Sequence, residues 1–421
     1  MWNSIRPLPP LARALVLLVL TTVGVPAEPE EGFEEVVRRT EEIRGLQFKQ
    51  PVSFSRLEKP ELAALLEREM DRLISEEEWR SIEDSLVLLG AAPKGISLRD
   101  LYRGLLGEQV AGLYDPHAKQ MHVVGNLSLK VALTQIVLEH ELTHALTDQH
   151  FDLLRLPIER TDHDDRSLAA MAVVEGDATL SMVEYAKDLG ADSLMVTALV
   201  SLMMDQESLS VSPPLLQAMF LFPYLGGEVF LINLSMKYAV REGRLVERED
   251  IPGGTVNWEV VNHLYLHPPE STEQILHPEK CALGNDPPVE FSFRDAKPFE
   301  FDTGWEYVSE NTFGEFLIKT LLMEEISSHQ SEEAAAGWGG DRYTLARGPN
   351  GEQALFWRTI WDTEEDAAEF RAAVEKFSAR DGFGGPSFVL PDGGETGREV
   401  SLWVVSEKAV AERIKGGMLK P

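Results

Sequence analysis

The sequence predicts a mostly helical α+β protein in two parts, a helical core with a short antiparallel sheet and a small C-terminal α+β domain. Three observations predict this fold class. Apolar residues recur at helical spacing through most of the first part, and two short strand-like segments there flank a turn. Beyond residue 300 the pattern changes to hairpin, helix and strand. A stretch rich in proline and charge, Ala282 to Phe301, is typical of a linker between the parts.

The composition is that of a globular protein with enough apolar side chain for a sizeable core. Of 421 residues, 43% are hydrophobic and 26% are charged, which excludes collagen-like, disordered and disulfide-scaffold classes. The 70 acidic residues exceed the 39 basic ones and give a net charge of -31, so phosphate backbones would be repelled. Nucleic acid is therefore excluded as an expected partner. The lone Cys281 is interpreted as a small apolar filler.

The N-terminus has the pattern of a secretory signal. Arg6 and Arg13 precede an uncharged run from Ala14 to Ala27, which ends in small residues. Residues 1–27 are therefore predicted to be a signal peptide, and the protein is predicted to be periplasmic or extracellular. The run is short for crossing ~30 Å of hydrocarbon, so a retained membrane anchor is the alternative. No stable membrane insertion is expected after the signal is removed.

Residues 28–95 are predicted to form an N-terminal helical scaffold. Apolar residues at helical spacing alternate with many charged ones on both sides of an extended piece, Pro51 to Ser55. The Glu-rich segment from Glu28 to about Pro60 suggests an alternative role, as a removable pro-segment that covers a cleft.

Residues 96–283 are predicted to form the core. Two strands, Gln109 to Tyr114 and Gln120 to Val124, flank turn-forming residues and predict a hairpin. Helical spacing then predicts several helices. They are a helix capped by Asn126 or Ser128 and running to about His150, a helix capped by Asp164 or Asp165 and running through Met182, helical stretches near 192–204 and 226–240, and an apolar segment from Leu215 to Leu234, interpreted as a buried helix.

Residues 300–421 are predicted to form the C-terminal α+β domain. Segments Tyr343 to Arg347 and Gln353 to Thr359 predict a hairpin around a turn rich in glycine and proline. Asp362 and Glu365 predict a capping box at the start of a helix. Val400 to Val405 predicts a further strand.

The motif with the clearest chemistry is H-E-x-x-H, from His140 to His144, inside the first core helix. Residues four apart lie on one helix face about 5–6 Å apart at Cβ, so both imidazoles can reach one zinc ion. Glu141 projects from an adjacent angle, where it can hold a water molecule beside the metal. The alternative is a pair of solvated surface histidines.

Glu175 is the best candidate for a third protein ligand, which a catalytic zinc usually needs. It lies in the middle of an apolar helix, where an unpaired carboxylate would be costly. The alternative is a glutamate that pairs with arginine or faces solvent. Gly176 and Ala178 are small enough for this helix to approach the H-E-x-x-H helix closely. A third histidine ligand is not expected, because the residues after His144 lack the required spacing.

The run from His140 to Asp148, together with Glu175, resembles the gluzincin, or thermolysin-like, branch of zinc metallopeptidases. The resemblance implies that His140, His144 and Glu175 bind one zinc ion per chain and that Glu141 is the general base. The interval between His144 and Glu175 is longer than in thermolysin. More of the chain resembles a group of uncharacterised exported bacterial proteins, which implies fold and zinc binding without a substrate. The shared segments are Phe222 to Tyr224, Ser271 to Lys280 and Gly337 to Arg342.

The resemblance also places a substrate-facing strand edge at Val110 to Tyr114. Gly112 and Tyr114 are therefore expected to bind the substrate backbone by strand addition, with an ordinary hairpin as the alternative.

Hydrolysis of a peptide bond also needs a hydrogen-bond donor for the oxyanion. His277, His267 and Tyr224 are the candidates, although each such residue is more often structural. Asp148 and Asp177 are expected to orient a ligating histidine, and Asp177 is alternatively a solvated neighbour.

The sequence thus predicts an exported zinc-dependent endopeptidase that hydrolyses bonds in a protein or peptide by means of zinc-activated water. One alternative is a catalytically silent relative that acts as a binding or chaperone module. The other is a metal hydrolase of non-peptide amides. The intact Glu141 argues against the silent relative, because a dead site would be free to lose its base. The sequence leaves the oligomeric state open.

Overall fold

The structure is a computed structural model, and its fold class is the predicted one, mostly helical with small antiparallel sheets. The predicted signal peptide, the caps Asn126 and Ser128 and the predicted helical stretch 192–204 lie outside the residues it describes. The described residues are 32–109, 112–124, 129–160, 162–190, 207–248, 256–284, 286–293, 304–379, 387–389 and 397–415.

The N-terminal part consists of helices around one strand. Capping explains where they start: the Ser75 hydroxyl accepts the backbone N–H of Glu78, and the Glu78 carboxylate accepts the backbone N–H of Ser75. The helix that begins there ends at Gly90, whose φ of 72° is left-handed. The elements are α1 (Phe33–Arg44), β1 (Ser53–Leu57), α2 (Lys59–Leu73), α3 (Glu76–Leu89) and α4 (Leu98–Gln109).

A three-stranded sheet connects this part to the core. Its strands β2 (Gly112–Asp115) and β3 (Gln120–Val124) form the predicted hairpin, although the first strand is shorter than expected because Gln109 ends α4. The sheet order is β1-β3-β2, with β1 parallel to β3. Within the described chain β2 therefore pairs with one strand and lies at an edge.

Three long helices form the centre of the core: α5 (Ala132–Phe151), α6 (Asp164–Asp188) and α8 (Pro214–Lys237), with a short α7 (Glu207–Ser210) before the last. Helix α6 starts one or two residues earlier than predicted, with His163 as N-cap, and both expected caps bind elsewhere. Asp165 accepts the backbone N–H of Thr272 at 2.8 Å, and Asp164 accepts the Asn311 amide at 2.9 Å.

Helices α6 and α8 cross at two glycines. A Cβ on Gly176 would lie 2.5 Å from the carbonyl carbon of Gly227, and a Cβ on Gly227 would lie 2.1 Å from the Ala172 carbonyl oxygen. Gly176 was predicted to allow a close approach of the H-E-x-x-H helix. That prediction was wrong, because the helix that approaches closely at Gly176 is α8. The crossing fixes the distance between α6 and α8.

The predicted apolar helix at Leu215 to Leu234 is part of α8, and it is only partly buried. Leu231 is fully buried, whereas Val229 is 58% exposed. By length and composition alone α8 could cross a membrane, a test that core helices of soluble proteins also pass. The helix predicted near 226–240 ends at Lys237, because β4 (Tyr238–Arg241) and β5 (Arg244–Glu247) form a hairpin there.

Three short helices then lead to the segment predicted to be a linker, of which residues 285 and 294–301 lie outside the described residues. The helices are α9 (Trp258–Leu266), α10 (Thr272–Leu276) and α11 (Pro278–Leu283).

The C-terminal part is a five-stranded antiparallel sheet with flanking helices. The sheet order is β6-β7-β8-β10-β9, and β7 and β8 form the predicted hairpin. The capping box lies one residue later than predicted, with Thr363 and Asp366. The elements are β6 (Glu306–Asn311), α12 (Gly314–Leu322), α13 (Ser328–Ala335), β7 (Trp338–Arg347), β8 (Gln353–Trp361), α14 (Glu364–Ser378), β9 (Ser387–Val389), β10 (Glu399–Val405) and α15 (Lys408–Lys415).

The two parts share one hydrophobic core. A single cluster of buried side chains joins residues such as Leu65 and Leu168 of the first part to Trp338 and Phe370 of the second. Arg347 of β7 also forms an ion pair with Asp84 of α3 at 3.0 Å. The C-terminal part therefore packs directly against the first part, with β7 against α3.

Candidate metal centre

Helices α5 and α6 bring His140, His144 and Glu175 together, as predicted from their spacing and surroundings. The two Nε2 atoms are 3.2 Å apart, and Glu175 Oε2 lies 3.3 Å from His140 Nε2 and 3.5 Å from His144 Nε2. All three side chains are buried, and their ligand atoms lie within 4.8 Å of one another. This group can hold a metal ion.

The sequence buries this site because both helices are enclosed over most of their length. Around the motif, α5 is buried continuously from Leu138 to Asp148, and α6 has few exposed positions. Glu139 ties the helices together, since its carboxylate accepts the hydroxyls of Thr143 at 3.0 Å and Ser181 at 2.5 Å. Burial raises the pKa of Glu139 to about 8. The ligand candidates therefore lie on a fixed framework of two buried helices.

The electrostatics of the group favour a bound cation. Burial by itself would raise the pKa of Glu175, but the adjacent imidazoles of His144 and His140 outweigh it and lower the pKa to about 2. Glu175 Oε2 is nonetheless buried without a hydrogen-bond partner among the described residues. An unsatisfied buried carboxylate oxygen is costly, and coordination to a metal removes that cost. Two imidazole nitrogens and a carboxylate oxygen are a ligand set that suits zinc.

Glu141 lies between this group and the edge strand β2. Its Oε2 accepts the backbone N–H of Tyr114 at 2.8 Å. Burial raises the pKa of Glu141 to about 7, with His140 acting against the shift and Glu175 adding to it. A carboxylate with a pKa near neutrality is well matched to general-base catalysis.

The two strand residues predicted to bind substrate, Gly112 and Tyr114, both lie beside Glu141. A Cβ on Gly112 would be 3.4 Å from Glu141 Cγ, so the glycine allows the strand to approach the helix closely. The phenol of Tyr114 turns onto the helix and donates to Asp148 Oδ2 at 2.6 Å. Binding of substrate along this edge stays a prediction.

The prediction that Asp148 orients a ligating histidine was wrong. Both of its oxygens have other partners, since they accept the Tyr114 phenol, the Lys119 ammonium at 2.8 Å and, just beyond the end of α5, the backbone N–H of Leu153 at 3.0 Å. Nδ1 of each ligand histidine is buried without a hydrogen-bond partner in the described chain.

Asp177 likewise does not contact a ligand histidine. It forms a buried ion pair with Arg44 of α1, with Asp177 Oδ1 at 3.0 Å from Arg44 Nε, and accepts the Tyr265 phenol at 2.7 Å. Neither side chain of the ion pair is exposed. Arg44 also donates to Asn262 of α9 at 2.9 Å. Sequence analysis missed Arg44, because its partner is 133 residues away and no local pattern marks it.

The position of Arg44 also argues against a removable pro-segment. Phe33 and Val36 of α1 belong to the same buried cluster as Leu142 of α5, and β1 is paired with β3 over its whole length. Helix α1 and strand β1 are therefore built into the core rather than laid over a cleft.

Of the three candidate oxyanion donors, the structure brings Tyr224 to the site. Its ring stacks on His140 with centroids 6.3 Å apart. Burial, together with the nearby carboxylates of Glu175 and Glu141 and a hydrogen bond to Glu175, raises the pKa of Tyr224 well above its usual value. The phenol is therefore a protonated donor at the edge of the group.

The structure does not bring the two candidate histidines to the metal centre. His277 pairs with Glu315 at 2.9 Å, and the neighbouring α10 is bound to Asp165 near the start of α6. That point is ten residues, or ~15 Å along the helix, from Glu175. His267 is exposed after α9, and its ring contacts His263 at 4.5 Å. The sequence around these two histidines gives no information about their distance from the metal centre.

Comparison with known proteins gives a match for one region of the chain. A family model described as a domain of unknown function, DUF8575, matches residues 303–415, which form the C-terminal part and about a quarter of the chain. No curated protein matches the chain, and no solved structure matches it. The match does not include the metal centre, so the resemblance to gluzincins rests on the residues described above.

Proposed function

We propose that the protein is an exported zinc-dependent endopeptidase. The observation that carries the proposal is the convergence of His140 Nε2, His144 Nε2 and Glu175 Oε2, with Glu141 buried beside them. Three protein ligands are the number that a catalytic zinc site uses, with a further position left for water or substrate. The chemistry that such a metal supplies is polarisation of the scissile carbonyl and activation of a water molecule.

Glu141 is the proposed general base. It is held at one oxygen by the Tyr114 backbone N–H, so its position is fixed before substrate binds. Beside the metal, the carboxylate is placed to take a proton from water and pass that proton to the leaving amine.

The strand β2 supports a peptide as the substrate. In the described chain β2 pairs on one side with β3, and the Tyr114 backbone N–H points away from β3 towards Glu141. Backbone groups alternate in direction along a strand, so those of Gly112 share this side. An extended peptide added at this edge would run past Glu141. Tyr224, whose ring stacks on His140, is the proposed donor to the oxyanion.

The test measures bound zinc and proteolysis together. We expect the purified protein to carry about one zinc per chain and a chelator to abolish cleavage of an unfolded protein substrate. Glu141→Gln should keep the metal and lose ~10²- to 10⁴-fold in rate, as is typical when a general base is removed. The matched control is Glu184→Gln, which changes a glutamate of α6 paired with Lys187 at the surface and should leave the rate unchanged.

Two results would contradict the proposal. A Glu141→Gln variant that cleaves as fast as the parent would remove Glu141 from the mechanism. A protein that binds zinc but cleaves neither unfolded protein nor a broad peptide library would favour a binding or chaperone module.

Export is the remaining part of the proposal, and it rests on residues 1–27. Removal of the signal predicts a mature N-terminus at Glu28. N-terminal sequencing of protein recovered from the native source tests this, and a chain that still begins at Met1 in a membrane fraction would indicate a retained anchor instead.

A further inference from the structure

Tyr114 contacts helix α5 at two points. Its backbone N–H donates to Glu141 Oε2 at 2.8 Å, and its phenol donates to Asp148 Oδ2 at 2.6 Å. Glu141 and Asp148 are seven residues apart, which is two turns or ~10.5 Å along a helix. One residue of the edge strand is therefore attached both to the proposed base and to a carboxylate two turns farther on.

Asp148 is itself held in place. Its side chain is fully buried, Lys119 Nζ lies 2.8 Å from Oδ2, and the backbone N–H of Leu153 donates to Oδ1 at 3.0 Å. Lys119 offsets the buried negative charge, and the short bond from a neutral phenol to a carboxylate is of the stronger, charge-assisted kind. Asp148 can therefore serve as a fixed anchor for the Tyr114 side chain.

We propose that Asp148 and the Tyr114 phenol are positioning residues that hold the Tyr114 backbone against Glu141. They affect the reaction indirectly, by fixing the position of Glu141. One oxygen of Glu141 accepts the Tyr114 backbone N–H, and the other is left for proton transfer. This inference rests on the proposed function for its effect on rate. The geometry of the anchor does not depend on it.

The test compares Tyr114→Phe with a matched control, Tyr185→Phe. Tyr185 also donates its phenol to α5, to Gln135 at 3.1 Å, and lies equally buried, but neither Tyr185 nor Gln135 belongs to the proposed site. We expect Tyr114→Phe to lower kcat by ~10- to 100-fold, the scale of a small misplacement of a catalytic group, with KM and zinc content close to the parent's. Tm should fall in both variants, because each loses a hydrogen bond of its phenol. Tyr185→Phe should leave kcat unchanged.

Asp148→Asn refines the test, because an asparagine can still accept from Leu153 and can donate to the phenol oxygen. Its loss of kcat should be smaller than that of Tyr114→Phe, and the double variant should be no slower than Tyr114→Phe. A kcat for Tyr114→Phe within twofold of the parent would overturn the positioning role.

A second readout does not need activity. Exchange of the Tyr114 amide hydrogen with solvent reports its bond to Glu141, and we expect at least ~10-fold faster exchange in Tyr114→Phe but not in Tyr185→Phe. If the parent has no peptidase activity, the proposed function fails while this measurement still decides the anchor. Unchanged protection of residue 114 in Tyr114→Phe would overturn the anchor itself.

Discussion

Replacement of Arg44 by methionine tests the most deeply buried charge contact near the metal centre. Arg44 Nε and Nη2 face the two oxygens of Asp177 at 3.0 and 3.1 Å, and both side chains are fully buried. Methionine keeps much of the arginine side-chain volume but leaves Asp177 as an uncompensated buried charge. Breaking a buried pair in this way typically costs about 3–5 kcal/mol of unfolding free energy.

The assay is urea unfolding at neutral pH, with Arg39→Met as the control. Arg39 lies on the same helix and pairs with Asp188 at 2.9 Å, but its side chain is 33% exposed, so its loss should cost less than about 1 kcal/mol. The double variant Arg44→Met, Asp177→Leu should regain much of the lost stability, because no unpaired charge remains. An Arg44→Met variant as stable as Arg39→Met would refute this account of how α1 is held.

Three further predictions concern the site and its framework. Glu175→Gln should lower zinc affinity by at least ~10-fold, as measured by competition with a chelator. Gly227→Ala should lower the unfolding free energy by about 1–3 kcal/mol or more, as measured in urea, because its Cβ would overlap the Ala172 carbonyl. Burial lowers the pKa of His122 to about 4, so this neutral imidazole stabilises the fold above pH 6.5 and loses that contribution as pH falls towards 4. His122→Gln should remove that part of the pH dependence in urea unfolding measured from pH 7 to pH 4.

Local patterns were sufficient for many of the elements and for the three ligand candidates, but they missed the β4–β5 hairpin, where a helix was predicted. Two histidines four apart on a helix must share a face, and that relation holds whatever the tertiary structure. Glu175 could be identified because a carboxylate within an apolar helix needs a partner. The β7–β8 hairpin and the helix after it followed from turn and capping residues, with errors of a few residues at the ends.

Contacts between distant segments could not be predicted. Asp177 was expected beside a histidine, but its partner Arg44 comes from a helix 133 residues earlier in the chain. Asp148 lies one helical turn beyond His144, yet its oxygens face β2. Helical periodicity predicts on which face of its own helix a residue lies. Which other element packs against that face depends on the whole fold.

The most direct test of the metal centre is a crystal structure with anomalous diffraction measured at the zinc edge. We expect one strong anomalous peak about 2.0–2.2 Å from Nε2 of His140, Nε2 of His144 and a carboxylate oxygen of Glu175. A peak at another place, or a Glu175 side chain turned away from both imidazoles with no substitute ligand, would contradict the proposal of a catalytic zinc site.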